Sequence, residues 1–120
     1  MKGRTRITAG AVLMAASFLL GSLAVSTARA DDTADVYTKK CATCHGVGGK
    51  GDGPASKVLK PPPGDFTATL KGMSDDDIAR MIKEGGKALG KSASMPAYGG
   101  KLSDEQIKSL VQHVKALCAK

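Results

Sequence analysis

Tryptophan is absent from this 120-residue chain, and beyond residue 30 the only large aromatic side chains are Tyr37, Phe66 and Tyr98. A domain with so few bulky residues cannot fill its own centre and needs a staple or a bound group. No dense lysine or arginine run occurs. Together with the scarcity of aromatics, this excludes a nucleic-acid-binding surface. There are no β-branched runs of strand type, no internal repeat and no low-complexity tract. Three cysteines cannot all pair with one another, so a pure disulfide framework is excluded by count.

The N-terminus is built for export. Lys2, Arg4 and Arg6 precede an apolar stretch over residues 9–25, and Ala28-Arg29-Ala30 puts small residues where a signal peptidase reads. Residues 1–30 are therefore expected to be a cleaved signal peptide, leaving residues 31–120 as one domain delivered to the periplasm. Gly10, Ser17, Gly21 and Ser22 interrupt the stretch, which weakens it as a span of about 20 apolar residues. No cysteine stands at the cleavage point to take a lipid, so no stable membrane anchor is expected after processing. The whole chain has 18 basic and 11 acidic side chains; four of the basic ones lie in the first 30 residues, so the remainder is only mildly basic, at +3.

Cys41-Ala42-Thr43-Cys44-His45 carries the chemistry. Two thiols three residues apart, followed at once by an imidazole, form the attachment signature of haem c. The thiols can add to two vinyl groups on one haem edge, and the imidazole can then reach the iron from one face. A redox-active dithiol of thioredoxin type expects a βαβ setting that is missing here. A structural zinc site needs four ligands, and only His113 and Cys118 remain, without a second close pair. A disulfide between Cys41 and Cys44 would strain an ordinary helix. One covalent haem c on Cys41 and Cys44, with His45 as metal ligand, is the expectation.

Around this motif the pattern is helical. Residues 35–44 are predicted as a first helix, capped by Thr33 or Asp32. Five glycines between residues 46 and 53 predict a loop with positive φ or close backbone approach; the lysine-bearing pattern of a phosphate-binding loop and its flanking strand are missing. Residues 55–59 are predicted as a short helix ended by three prolines at 61–63. Phe66 and Leu70 follow as core residues. Ser74 is predicted to cap a helix with Asp75, Asp76 and Asp77 in its first turn and Ile78, Met81 and Ile82 on its apolar side, stopped by Gly85-Gly86. A loop covers residues 85–101. Ser103 and Gln106 form a capping box for the last helix, whose stripe is Ile107, Leu110, Val111, Val114 and Leu117.

The second axial position has four candidates: Met73, Met81, Met95 and His113. Met81 belongs to an apolar stripe, His113 lies mid-helix, and Met73 directly precedes a helix start. Met95 sits in a glycine-containing loop far from His45, with Pro96 holding its backbone extended. It is the favoured ligand.

In this order, the Cys-x-x-Cys-His motif, the Gly-Asp-Gly-Pro loop ending at Pro54, Met95-Pro96 and the terminal Leu-Val-x-x-Val helix, the chain resembles the class I bacterial monohaem cytochromes c over residues 34–117. The resemblance implies an all-α fold of four to five short helices around the haem, with the first and last helices crossing. It implies that Tyr37 faces Leu110 and Val114, and that the Pro54 carbonyl accepts a hydrogen bond from Nδ1 of His45. His113 falls where the family often has an aromatic residue. Cys118 has no counterpart role, and is expected to stay inert in a monomer unless it links two copies.

Ligation by His45 and Met95 fills both axial positions, so iron changes oxidation state without changing partners. The expected function is one-electron transfer between a redox donor and acceptor, steered by Lys57, Lys60, Lys91 and Lys101. The alternative is a haem-based sensor or ligand-binding module with a displaceable sixth ligand. A haem enzyme such as a peroxidase would want a distal acid–base pair, and only one histidine is spare.

Overall fold

The computed structural model describes residues 30–120, together with Gly21. The expected signal peptide, Gly21 and Ala30 apart, lies outside the described residues. Five α-helices follow in order: α1 (Ala30–Lys40), α2 (Ala42–His45), α3 (Phe66–Thr69), α4 (Asp75–Glu84) and α5 (Asp104–Cys118). Two 3₁₀ turns, Pro54–Val58 and Lys87–Leu89, interrupt the loops. Among the described residues there is no strand, and no helix is long and apolar enough to cross a membrane. The all-α expectation is met.

The long helices form for the reasons their sequences give. Ser74 accepts from the amide of Asp77 while the Asp77 carboxylate accepts from the Ser74 amide, a closed capping box at the start of α4. Ser103 and Gln106 repeat it at α5. Each such box satisfies two amides that a helix start leaves unpaired. Ile78 and Ile82 of α4, and Ile107, Leu110, Val111 and Val114 of α5, are buried in one core with Tyr37 of α1, Phe66 of α3 and Leu102. Helix α5 is the spine against which α1, α3 and α4 all pack.

The N-terminal boundary differs from the prediction. The chain is already helical at Ala30, so Asp32 and Thr33 lie inside α1 and do not cap it. The single helix expected through residue 44 is instead broken at Cys41, where φ is −116°. The amides of Cys44 and His45 then both converge on the Cys41 carbonyl, at 3.1 and 2.9 Å, which tightens α2 into a separate turn.

The glycine-rich loop presses against that turn. Gly53 donates to the Cys44 carbonyl at 3.2 Å. A Cβ at Gly53 would stand 2.4 Å from the carbonyl oxygens of both Ala42 and Thr43, so only glycine allows the approach. The predicted helix at residues 55–59 is a 3₁₀ turn displaced by one residue, opening with Pro54. Helix α3 has no counterpart among the predicted elements; Asp65 caps it by accepting from the Thr67 amide at 2.8 Å.

Candidate cofactor site

A cavity of about 500 Å³ opens between α1, α2, α4, α5 and the loops, within the roughly 300–1,000 Å³ range of ligand and cofactor pockets. Cys41, Cys44 and His45 line it, and so does Met95 from 50 residues further along the chain. Tyr37, Phe66, Ile78, Ile82, Leu110 and Val114 supply apolar wall. Much of the space that the sparse aromatics leave open thus lies beside the attachment motif.

Helix α2 presents the motif. Both cysteines are free thiols, half-buried. Burial pushes the Cys41 thiol up to about 11, with Lys40 opposing the rise and the neighbouring Cys44 adding to it. A redox-active dithiol keeps one thiol acidic to hold a nucleophilic thiolate, and Cys41 is shifted the opposite way. The βαβ setting that a thioredoxin-type dithiol expects is also missing among the described residues.

The His45 ring packs on Phe66, centroids 4.8 Å apart and planes tilted by 33°. Burial holds its pKa below the usual histidine value, so near neutral pH the imidazole is uncharged and has a lone pair for a metal. Its Nδ1 atom is fully buried with no hydrogen-bond partner. The bond expected from Nδ1 to the Pro54 carbonyl is thus not formed. Pro54 is exposed and opens a 3₁₀ turn, a geometry in which each carbonyl is directed to the amide three residues on. Pro54 still adjoins Gly53, whose amide bonds to Cys44, so it borders the motif without holding the imidazole.

Of the four candidates for the other axial position, Met73, Met81 and Met95 line the cavity. His113 does not; its ring packs on Tyr37 at 4.8 Å, with planes tilted by 43°. It fills the place expected for an aromatic residue by stacking as one. Met81 is carried on α4 beside Ile78 and Ile82. Met95 is carried on a loop fixed to the end of α4: its carbonyl accepts from the Gly86 amide at 3.0 Å, and the amides of Tyr98 and Gly99 donate to Ile82 and Lys83 at 2.9 and 3.0 Å. Gly86 is the contact point. A Cβ there would lie 2.1 Å from the Ser92 carbonyl oxygen and 3.1 Å from Cβ of Met95. The glycine pair read as a helix stop is also the seat of the methionine loop.

The residues fit a covalently held haem. The donor set is two thiols, one neutral imidazole and thioethers, the walls are apolar, and the buried imidazole is oriented by ring packing rather than by a competing polar partner. Cys118 lies apart from this site. Its thiol, half-buried, donates to the Val114 carbonyl at 3.3 Å.

Sequence reasoning did not assign Tyr98 a role. Its ring lines the cavity and its hydroxyl donates to the Lys40 carbonyl at 3.0 Å. Its position three residues after Met95 was the one available signal.

The family model described as cytochrome c oxidase, cbb3-type, subunit III matches residues 28–114. A cytochrome c6 of Microcystis aeruginosa is 33% identical over 89 residues, covering 74% of this chain and 98% of that one. A cytochrome c6 of Limnospira maxima is 36% identical over 81 residues, or 68% of this chain and 84% of that one. Among solved structures, a chain of the Kuenenia stuttgartiensis reducing HAO-like protein complex superposes with a TM-score of 0.57 at 28% identity, over 71% of this chain but only 41% of that one.

Proposed function

We propose, on the premise that this chain belongs to the c-type cytochromes as a small monohaem class I member, that it carries single electrons between periplasmic redox partners with His45 and Met95 as axial ligands. It is an electron carrier and not an enzyme. The supporting observation is one cavity lined by both thiols, the His45 imidazole and the Met95 thioether.

The covalently bound haem supplies a reversible one-electron change at iron. The chain's residues do the rest. Cys41 and Cys44 bind it irreversibly through two thioethers, so the carrier cannot lose its redox group. His45, kept uncharged by burial and steadied by Phe66, ligates from the attachment side. Met95 brings a soft donor that favours the reduced metal and raises the potential over a two-histidine pair. The apolar walls keep water out, which limits reorganisation when the charge changes. Lys57, Lys60, Lys91 and Lys101 are exposed and would steer acidic partner surfaces at low salt. Residues 1–30 act as the export signal, and the processed protein is a monomer in this reading.

An optical redox titration of the processed protein, made in a host that matures c-type cytochromes, tests the proposal. One haem per chain, a thioether-to-iron charge-transfer band in the ferric state and slow carbon monoxide binding are expected. The band should vanish in Met95→Ala and persist in Met73→Ala and Met81→Ala. Rapid carbon monoxide binding by the unaltered protein would instead establish a sixth position that opens, as in a ligand-binding module.

A further inference from the structure

The loop that presents Met95 is fixed at two ends of unequal strength. On one side, three backbone hydrogen bonds join it to α4 and to the glycine pair that follows. On the other, the hydroxyl of Tyr98 reaches across 58 residues of sequence to the carbonyl of Lys40. Lys40 is the last residue of α1 and the neighbour of Cys41. Its carbonyl is among those a helix end leaves without an intrahelical partner, so the phenol satisfies an acceptor that would otherwise need water.

We propose that Tyr98 is a positioning residue for the Met95 thioether: its hydroxyl latches the methionine loop to the attachment end of α1 and so closes the circuit from Cys41 around the cavity to Met95. The inference rests on the reading of Met95 as axial ligand. Three features support it. The ring of Tyr98 lines the cavity together with Cys41, Cys44 and Met95. Lys101 stands over the ring, with Nζ 5.8 Å from the centroid, and the amide of Lys101 donates to the Tyr98 carbonyl at 2.9 Å; ring and backbone are both held. The phenol's pKa is raised chiefly by burial, which keeps its proton in place to donate. Without the hydroxyl the loop keeps its α4 anchors and loses its tie to α1. The thioether should then leave iron more often, with the fold intact.

Tyr98→Phe removes only the oxygen. Imidazole, added to the ferric holoprotein in stopped flow, traps the open state and reads the rate at which Met95 departs. Tyr98→Phe is expected to bind imidazole on the order of fivefold faster, the factor that one net hydrogen bond of typical strength confers, and to lower the intensity of the thioether charge-transfer band. Ser103→Ala is the control: it removes the α5 cap, lowers global stability and touches neither loop end, so imidazole binding should stay at the unaltered rate. An unchanged imidazole rate in Tyr98→Phe, with the band lost in Met95→Ala as expected, would overturn the latch and leave the ligand assignment standing. An equal acceleration in Ser103→Ala would also overturn it, by showing that the effect follows stability alone. If Met95→Ala leaves the band and imidazole rate of the unaltered protein untouched, the ligand assignment itself fails, and the latch fails with it.

Discussion

The hydroxyl of Tyr37 donates to the carbonyl of Gly46 at 2.7 Å, tying the buried face of α1 to the residue that follows His45. Tyr37 is only 2% exposed, so neither partner has water as a substitute. Tyr37→Phe keeps the ring that packs on His113 and against α5, and leaves the Gly46 carbonyl with only its bond from the Gly49 amide at 3.1 Å. A loss of about 0.5–1.5 kcal/mol is expected, the net worth of one hydrogen bond, measured by urea denaturation of the holoprotein.

The same tyrosine predicts an alkaline limb. Burial, with a smaller contribution from the Asp52 charge, raises its pKa from 10 to about 12. The folded state thus holds the phenolic proton more tightly than the unfolded chain does. Stability from this source is complete below pH 10 and is lost as pH rises toward about 12. The unaltered protein should lose stability more steeply than Tyr37→Phe across that window.

At the acidic end the corresponding group is Asp75. Its carboxylate accepts from Lys115 and from Gln112, joining the first turn of α4 to α5, and these bonds, Lys115 first, hold its pKa below the ordinary carboxylate value. A depressed pKa contributes stability above the unfolded-state value, and that contribution disappears as pH falls through the folded-state one. Asp75→Asn should therefore lower the denaturation midpoint at neutral pH, and the gap from the unaltered protein should close as the solution is acidified. The pair is half-exposed, so high salt should also narrow the gap.

The two capped helices and the cavity's chemistry were legible because their signals are local. Ser74 with its run of aspartates, and Ser103 with Gln106, announce helix starts within four residues, and the stripe of α5 repeats over four turns. The attachment motif is contiguous. Helix α3, four residues long, is shorter than one pattern period plus a cap, so Phe66 reads as core without reading as helix. The break at Cys41 adjoins α2, on which Gly53 packs from further along the chain, a contact that leaves no mark in the local pattern. The latch from Tyr98 to Lys40 spans 58 residues and has no pattern to read. The Pro54 bond, carried over from the resemblance, failed because its carbonyl belongs to a turn whose type the sequence does not specify.

Covalent attachment and stability should be coupled. The walls around Cys41 and Cys44 enclose about 500 Å³, and a domain this small has no second core to fall back on. Replacing both cysteines by alanine should allow acid–organic extraction of the haem and lower the melting temperature. Denaturing mass spectrometry should show bare polypeptide mass for the double variant and polypeptide plus haem for the unaltered chain.

Gly86 and Gly90 separate strain from displacement in the methionine loop. At Gly90 φ is +69° and nothing lies within 4 Å of the point where a Cβ would stand, so Gly90→Ala meets a backbone penalty of about 1 kcal/mol and no neighbour. At Gly86 the backbone is right-handed, with φ −64°, but a methyl group would meet the Ser92 carbonyl oxygen at 2.1 Å, and the Met95 carbonyl that bonds to the Gly86 amide would have to move with it. Gly86→Ala should therefore weaken the thioether charge-transfer band, speed carbon monoxide binding to the ferrous protein and lower the reduction potential. Gly90→Ala should lower the melting temperature by a few degrees with the band, the binding rate and the potential unchanged. Equal spectra for the two variants would mean that the loop seat on α4 does not control where the thioether sits.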